Sequence, residues 1–383
     1  MTAVINLDHA EDPRDAVHRA VAALAQGRIV ALPTETVYGL AASALSESAV
    51  DRLFEVKGRA KTKGFALAVK SAEDALDYIP QMGPLARRLA RRCWPGPVTL
   101  VLPDAHPDSV LVRLPLAVQE AVVQDGSIGL RVPANDLTLQ VLRLLVGPLV
   151  LTSANRSGEP EATTADEIDL SIRKQVDLIL DAGPCRFGQP SSVVRVNDHQ
   201  FTVLREGVVD AETLRQFSLY QVLFVCTGNT CRSPMAERIF QQALAVELGC
   251  RPDELETRGA CVLSAGMAAF PGGRPSREAV EILTRDGIDL SNHCSQPLTE
   301  RLVRNADLIL AMTNGHLESL RTQWPEAGPR SYLLRADRQD IGDPIGQPLS
   351  AYRRCADEIR AAIRPWVEKV AGELAGARPE TAR

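Results

Sequence analysis

The stretch VLFVCTGNTCRSPMAE (222–237) carries the residues best suited to covalent chemistry. Cys226 closes an apolar, strand-like run. Arg232 and Ser233 follow across a short polar loop, and Pro234 reads as the first position of a helix. A loop between a strand end and a helix N-terminus turns several backbone N–H groups inward. Such a nest binds a tetrahedral dianion. Arg232 adds a bidentate guanidinium for the phosphoryl oxygens. The same positive surroundings favour the thiolate of Cys226, the form that attacks phosphorus. A buried cysteine at the end of a core strand is the bland alternative. It leaves the loop, the Arg-Ser pair and the helix start as coincidences. Asp343, in the Gly/Pro-rich IGDPIGQ, could face the nest as acid for the leaving group and then as base for water.

A second set of polar residues lies in the first half. LPTETVYGL (32–40) runs a strand into the hydroxyl of Thr34 and a turn at Tyr38-Gly39, which suits a polar ligand. Lys57, Arg59, Lys61 and Lys63 crowd together as a local anion site, unless they are only a solvated basic loop. LTSANRSGEP puts Ser153, Asn155, Ser157 and Gly158 just past a strand, as small donors for phosphate or ribose. Arg131 in GLRVP and Arg205 in LREG follow apolar strand residues, as ligand clamps or edge caps do. Arg87, Arg88, Arg91 and Arg92 share a helix face. No stacking aromatics accompany them, so a solvated face is the simpler reading and direct tRNA binding stays open.

Elements of secondary structure must hold these side chains. The length of 383 residues implies two domains, and 45% hydrophobic with 24% charged residues is ordinary for folded chains. A net charge of −5, with neither half basic, excludes a nucleic-acid glove of the usual kind. Eight cysteines without a Cys-x-x-Cys pair, and six scattered histidines, identify no metal site and suit the reduced thiols of a cytoplasm. The first residues lack a signal-peptide pattern, and no apolar run approaches the ~20 residues of a membrane span. In the first half, helices are predicted over 12–27, 45–56 and 83–94. Strands at RIVALPT, FALAVK, VTLVL, SIGLRV, PLVLTS, LILDAG, SSVVRV and FTVLRE give a twisted mixed sheet in an α/β domain. In the second half VLFVC, CVLSAGM, DLILAMT and SYLLR alternate with helices. That order predicts a doubly wound parallel sheet with its active loops at the strand C-termini. The expected domains are 1–210 and 220–375, with a linker at 211–219 and a frayed tail at 376–383.

With these residues in view, 221–373 resembles the low-molecular-weight protein-tyrosine phosphatase family. The matching pieces are the Cys-x5-Arg-Ser loop, Ser264-Ala265-Gly266 and Asp343-Pro344. The resemblance implies Cys226 as nucleophile, Arg232 as phosphate clamp and Asp343 as acid and base, without a cofactor. Asn229, Ser233 and Ser264 would hold the loop and thiolate. The bacterial protein-arginine phosphatase branch is more similar still, through CTGNTCRSPMAE and 292–313. Tyrosine-directed members usually carry Ile or Leu where Thr230 stands, and aromatics where Ile345-Gly346 follows the Asp-Pro. Thr230 would then contact a phosphoguanidinium, which is slimmer and more polar than a phenyl ring. Cys231 is where family members form a protective disulfide, or it simply packs. Arsenate reduction would need further cysteines, and only Cys294 is near.

The span 10–209 resembles the Sua5/YciO/YrdC family through PTETVYGL, the Lys-x-Arg loop, WPGPVTLVL, LRVP, TSANRSGEP, PSSVV and LREG, in the family's order. The resemblance implies synthesis of threonylcarbamoyl-AMP from L-threonine, bicarbonate (or CO2) and ATP, with Mg2+. The product would pass to threonylcarbamoyl-transfer proteins for tRNA modification. Thr34, Arg131 and Ser192 would lie at the threonine end. Lys57, Arg59, Lys63, Ser153, Asn155 and Arg205 would hold ATP. The chain departs from the family at Ala60 and Gly64, where prolines are usual, and at PSSVV in place of PSTVV. A phosphatase also stands where the long-form enzymes carry their own C-terminal domain. The expectation is thus a bifunctional enzyme acting on small molecules and phosphorylated proteins. The alternative is a tyrosine phosphatase whose first domain only binds nucleotide or RNA.

Overall fold

The computed structural model describes residues 2–9, 12–104 and 106–376. The chain forms two compact units, Met1–Phe217 and Ser218–Arg383. Among the described residues no helix is long and apolar enough to cross a membrane. The tail over 376–383 meets the last helix at Gly376 and otherwise lies outside the described residues.

The first unit is built on one mixed sheet. Its strand path runs Ala3–Asn6, Leu178–Asp181, Val30–Leu32, Gly39–Ser43, Leu149–Ser153, Ala66–Ala68, Ser127–Arg131, Val98–Pro103, Ser192–Val196 and Phe201–Arg205. The pairings are a mixture of parallel and antiparallel, as at Ala66↔Gly129 (parallel) and Ala66↔Leu151 (antiparallel). Val30–Leu32 and Gly39–Ser43 are buried throughout, which is why they read as unbroken small and aliphatic runs. Helix Pro13–Ala25 starts at Asp12, whose carboxylate accepts from the Arg14 N–H. Helix Glu47–Lys57 starts at Ser46 and ends at Gly58, whose φ of +59° turns the chain between Lys57 and Arg59. Helix Ala211–Ser218, expected as a linker, buries Leu214 in this unit's core.

The second unit carries a four-stranded parallel sheet in the order Ala260–Gly266, Tyr220–Cys226, Leu308–Ala311, Ser331–Leu333. Its central strand alternates between two cores. Val222 and Phe224 pack with Phe240, Ile282 and Ile359 on one face, and Leu223 and Val225 pack with Val303 and Leu320 on the other. Helices therefore cover both faces, and the strand C-termini are left to the loops. Helix Arg232–Leu248 follows the central strand directly. It starts at Arg232, two residues earlier than expected, so Pro234 sits inside the first turn. There a missing N–H is harmless, because the first N–H groups of a helix have no intrahelical partner.

Two candidate active sites

Cys226 ends the central strand of the second unit and is 3% exposed. The chain then turns through 227–231 with Asn229 at φ +52°, which points the Asn229 backbone N–H at Cys226 Sγ, 3.2 Å away. The turn packs against Gly266. A Cβ there would lie 2.6 Å from the Thr227 carbonyl and 2.9 Å from the Asn229 nitrogen, so the close approach requires glycine. Asn229, fully buried, wires the loop together. Its amide N–H groups donate to Ser233 Oγ at 3.0 Å and Ser264 Oγ at 2.9 Å, and its Oδ1 accepts from the Gln296 N–H at 2.9 Å. With Asn229 donating to it, the Ser233 hydroxyl can turn its own proton to Cys226 Sγ at 2.9 Å or to the Ala265 carbonyl at 3.5 Å.

Arg232 is buried, and its guanidinium forms an ion pair with Asp343 and donates to the Ile341 carbonyl at 3.3 Å. Residues 111 positions apart are thus brought together at the start of the helix that follows the loop, with Asp343 on the exposed side. Thr230 is half-buried, and its hydroxyl lies 3.6 Å from Cys231 Sγ. Cys231 Sγ is also 3.6 Å from the hydroxyl of Tyr352, a phenol that burial pushes up to about 12.

Three further residues complete this network and were missed in the sequence. Glu237, one turn into the helix, accepts from Ser264 Oγ at 2.6 Å. Burial raises its carboxyl, while the Ser264 hydroxyl and the Arg238 cation oppose that rise. His293 Nε2 lies 2.9 Å from the Asn229 carbonyl, which can only accept, so the hydrogen is on Nε2. His316 bridges Thr313 and Thr227 at 2.9 Å on each side. Acid or histidine residues near a nucleophile are a usable signal. Nothing in the local spacing, however, says which of them reach the loop.

In the first unit a cavity of about 320 Å3 opens on one face of the sheet. Thr34, Arg59, Arg131, Ser153 and Arg205 line it, together with Ser191 and Arg195. Gly64, Ala66 and Gly129 form a floor of small residues. Lys57 lies behind the wall and is 2% exposed. Its ammonium donates to the Ser153 carbonyl at 2.6 Å, Ser153 Oγ at 3.0 Å and Asn155 Oδ1 at 2.5 Å. Burial, and then the Arg59 cation, lower the amine to about 7. Burial and the Arg205 cation also press on Arg59. Arg59 is held by the carbonyls of Lys63 and Gly64, and Arg205 by that of Ser191. Three mutually repelling cations around one cavity make it an anion site.

Arg131 donates to Glu35 at 2.7 Å and to Thr36 Oγ1 at 2.9 Å, a buried ion pair that the sequence reading did not anticipate. Glu35 also accepts from the Ala134 N–H at 2.9 Å, so this pair ties the 33–37 turn to the loop after Arg131. The Thr34 hydroxyl accepts from the Thr36 and Val37 N–H groups and shapes that turn. Two expectations need correction. Ser192 is fully buried and exchanges hydrogen bonds with the backbone of Val209 at 2.6 and 3.0 Å. Its neighbour Ser191 faces the cavity instead, because successive residues of a strand point to opposite faces. The Lys63 side chain is exposed and does not line the cavity; its carbonyl accepts from Arg59 at 2.8 Å. Among the described residues no group of three His, Cys, Asp or Glu could hold a metal ion.

Comparison with known proteins gives two family matches. The Sua5/YciO/YrdC family model, described as "Telomere recombination", matches residues 22–207. The low molecular weight phosphotyrosine protein phosphatase family matches residues 221–375. The chain is 33% identical to the threonylcarbamoyl-AMP synthase of Pyrococcus abyssi, over 61% of its own length and 67% of the relative's. It is 38% identical to the protein-arginine-phosphatase of Bacillus subtilis, over 39% of its own length and 95% of the relative's. It is also 34% identical to a probable low molecular weight protein-tyrosine-phosphatase of Ralstonia nicotianae, over 39% of its own length and 94% of the relative's. With a buried cationic cavity in one unit and a cysteine-centred anion loop in the other, the chain belongs to the Sua5/YciO/YrdC family in its first unit and to the low-molecular-weight phosphatase family in its second.

Proposed function

We propose that the second unit removes phosphate from phosphoarginine in proteins, with Cys226 as nucleophile. The Cys226 thiolate forms a bond to phosphorus while the P–N bond breaks, and Asp343 gives its proton to the departing guanidine nitrogen. Water then attacks the phosphocysteine, Asp343 takes the water proton, and phosphate leaves as the thiolate returns. Arg232 and the loop N–H groups hold the phosphoryl oxygens through both steps. The observation that carries this reading is the convergence of Ser233 and the Asn229 N–H on Cys226 Sγ, with the Arg232–Asp343 pair at the start of the helix that follows the loop. Thr230 in the loop that follows the nucleophile and Ile345 after the Asp-Pro favour a slim polar group over a phenyl ring.

The first unit, in the same proposal, condenses L-threonine, bicarbonate or CO2 and ATP to threonylcarbamoyl-AMP. The threonine amine takes up CO2, the carbamate oxygen attacks the α-phosphorus, and pyrophosphate departs. Arg59, Arg205, Ser153 and, through Ser153 and Asn155, Lys57 hold the phosphates. Thr34 and Arg131 shape the other end. Mg2+ arrives with ATP. Holding both reactants and neutralising charge is the whole of the catalysis, with no covalent nucleophile.

The test for the phosphatase compares kcat/KM on phosphoarginine and phosphotyrosine peptides, with Cys226→Ser as blank and Thr230→Ile as the pocket probe. Preference for phosphoarginine, reversed by Thr230→Ile, is expected; preference for phosphotyrosine overturns the substrate assignment. For the synthase, pyrophosphate release must require both threonine and bicarbonate. ATP binding without turnover would leave a binding module.

A further inference from the structure

The mouth of the phosphatase loop carries a hydroxyl that no step above uses. Thr227 directly follows Cys226, and its side chain is exposed while its carbonyl is fixed by the Ala268 N–H at 2.9 Å. Its hydroxyl does not float. His316 Nε2 lies 2.9 Å from Thr227 Oγ1, and His316 Nδ1 lies 2.9 Å from Thr313 Oγ1. Thr313 caps helix Asn314–Gln323, so its oxygen already accepts from the His316 backbone N–H at 3.2 Å.

The cap uses one of the two lone pairs of the Thr313 oxygen, and the neutral ring carries a single hydrogen, so in this hydrogen-bond chain it donates to one threonine and accepts from the other. With either tautomer Thr227 keeps at least one lone pair at the rim. The charged groups around the ring are Arg232 from the helix that follows the loop, and Asp340 and Asp343 from the loop after the last strand. Asp340 is committed to capping Asn314, accepting from its backbone N–H at 2.7 Å and its amide at 2.9 Å. Burial, and then the Arg232 cation, hold the imidazole below its ordinary value, so the neutral ring is the form that orders the chain.

We propose that Thr227 is a substrate-contact residue, accepting a hydrogen bond from the N–H groups of a phosphoguanidine, and that His316 is its positioning residue. An aryl phosphate has no such N–H to give. The inference rests on the phosphoarginine reading of this site and adds to it a second rim contact beside Asp343.

The experiment takes the full-length protein and reads the ratio of kcat/KM on a phosphoarginine peptide to that on an aryl phosphate, between about pH 6 and 8. Thr227→Val is expected to lower the ratio about tenfold, the worth of one hydrogen bond to a charged group. Thr227→Ser is expected to restore it. His316→Ala is expected to lower it equally, with no further loss in the double variant. In the wild type the ratio should fall on further acidification to about pH 5, as the imidazolium sets a second cation against the guanidinium, and this fall should vanish in His316→Ala. Cleavage of the aryl phosphate shows that each variant is folded. A ratio within twofold of wild type in Thr227→Val, including equal losses on both substrates, overturns the inference. The wild-type ratio tests the parent reading separately. A wild type that prefers the aryl phosphate, yet loses the ratio in Thr227→Val, sinks the parent reading and keeps this contact. A wild type with no measurable phosphoarginine activity sinks both.

Discussion

ATP binding to the first unit should take up a proton, and Lys57 supplies the site for it. In the empty cavity its amine titrates near 7, lowered by burial and by Arg59. At pH 8 it is therefore about one-tenth charged. A phosphate charge about 4 Å away, at an effective dielectric near 20, contributes about 4 kcal/mol. That is worth about 3 pKa units, enough to return the amine to its ordinary range and make it almost fully charged. Uptake of about 0.9 proton per ATP follows. By linkage, ATP affinity should weaken about tenfold per pH unit as pH rises from about 7.5 to 9.5. Calorimetry without threonine, at pH 8 in two buffers of different ionisation enthalpy, measures the uptake directly. Lys57→Met should abolish it. A binding enthalpy independent of buffer, or uptake that persists in Lys57→Met, would refute the placement of Lys57 beside the phosphates.

Three other substitutions test the wiring. Gly266→Ala puts a methyl within 2.6 Å of the Thr227 carbonyl and must displace the loop. Phosphatase kcat should fall at least about tenfold, with about 1–3 kcal/mol lost from stability by chemical denaturation. Ser192→Ala should cost about 1–3 kcal/mol by leaving Val209 unpartnered while the threonine KM stays put; Ser191→Ala should move a substrate KM with little change in stability. Glu237 has a raised carboxyl, so the folded chain holds its proton at a pH where the unfolded chain has lost it. Stability from that proton falls as pH rises above the ordinary carboxyl value of 4.5. Wild type should therefore gain on Glu237→Gln as pH drops from about 7 to 5, and melting temperatures of the two that run parallel across that range would exclude it.

The phosphatase loop was legible because its chemistry is local. Cys226, Asn229, Arg232 and Ser233 fall within one strand end and one helix start, and spacing alone brings their backbones together. Asp343 was legible by a different route. In a doubly wound sheet the loops after the strands gather at one edge, so a carboxylate after the last strand faces the first loop. Glu237, His293 and His316 lacked both supports. Their roles come from contacts across 27, 64 and 89 positions, and no local pattern encodes those. In the first unit the anion cluster was visible, but its layering was not. Whether Ser191 or Ser192 faces the cavity depends on strand register, where one residue flips the face. Lys57 reads like Arg59 in sequence, yet the left-handed turn at Gly58 sends one behind the wall and leaves the other on it.

The two units meet the same problem, a multiply charged anion, with opposite solutions. The second unit offers backbone N–H groups and one guanidinium, and Asp343 already neutralises that guanidinium in the free protein. Phosphate must displace or protonate this internal counter-ion, so the gain from charge alone is small and geometry supplies the rest. The first unit instead gathers Lys57, Arg59 and Arg205 around a floor of small residues. Of its cavity cations, Arg131 is paired with Glu35. Burial first, and then repulsion from Arg59, lowers Lys57 in the empty state, and Glu159 and Glu161 offset only part of that. An arriving polyphosphate removes that repulsion, so ligand binding should stabilise the first unit far more than phosphate stabilises the second.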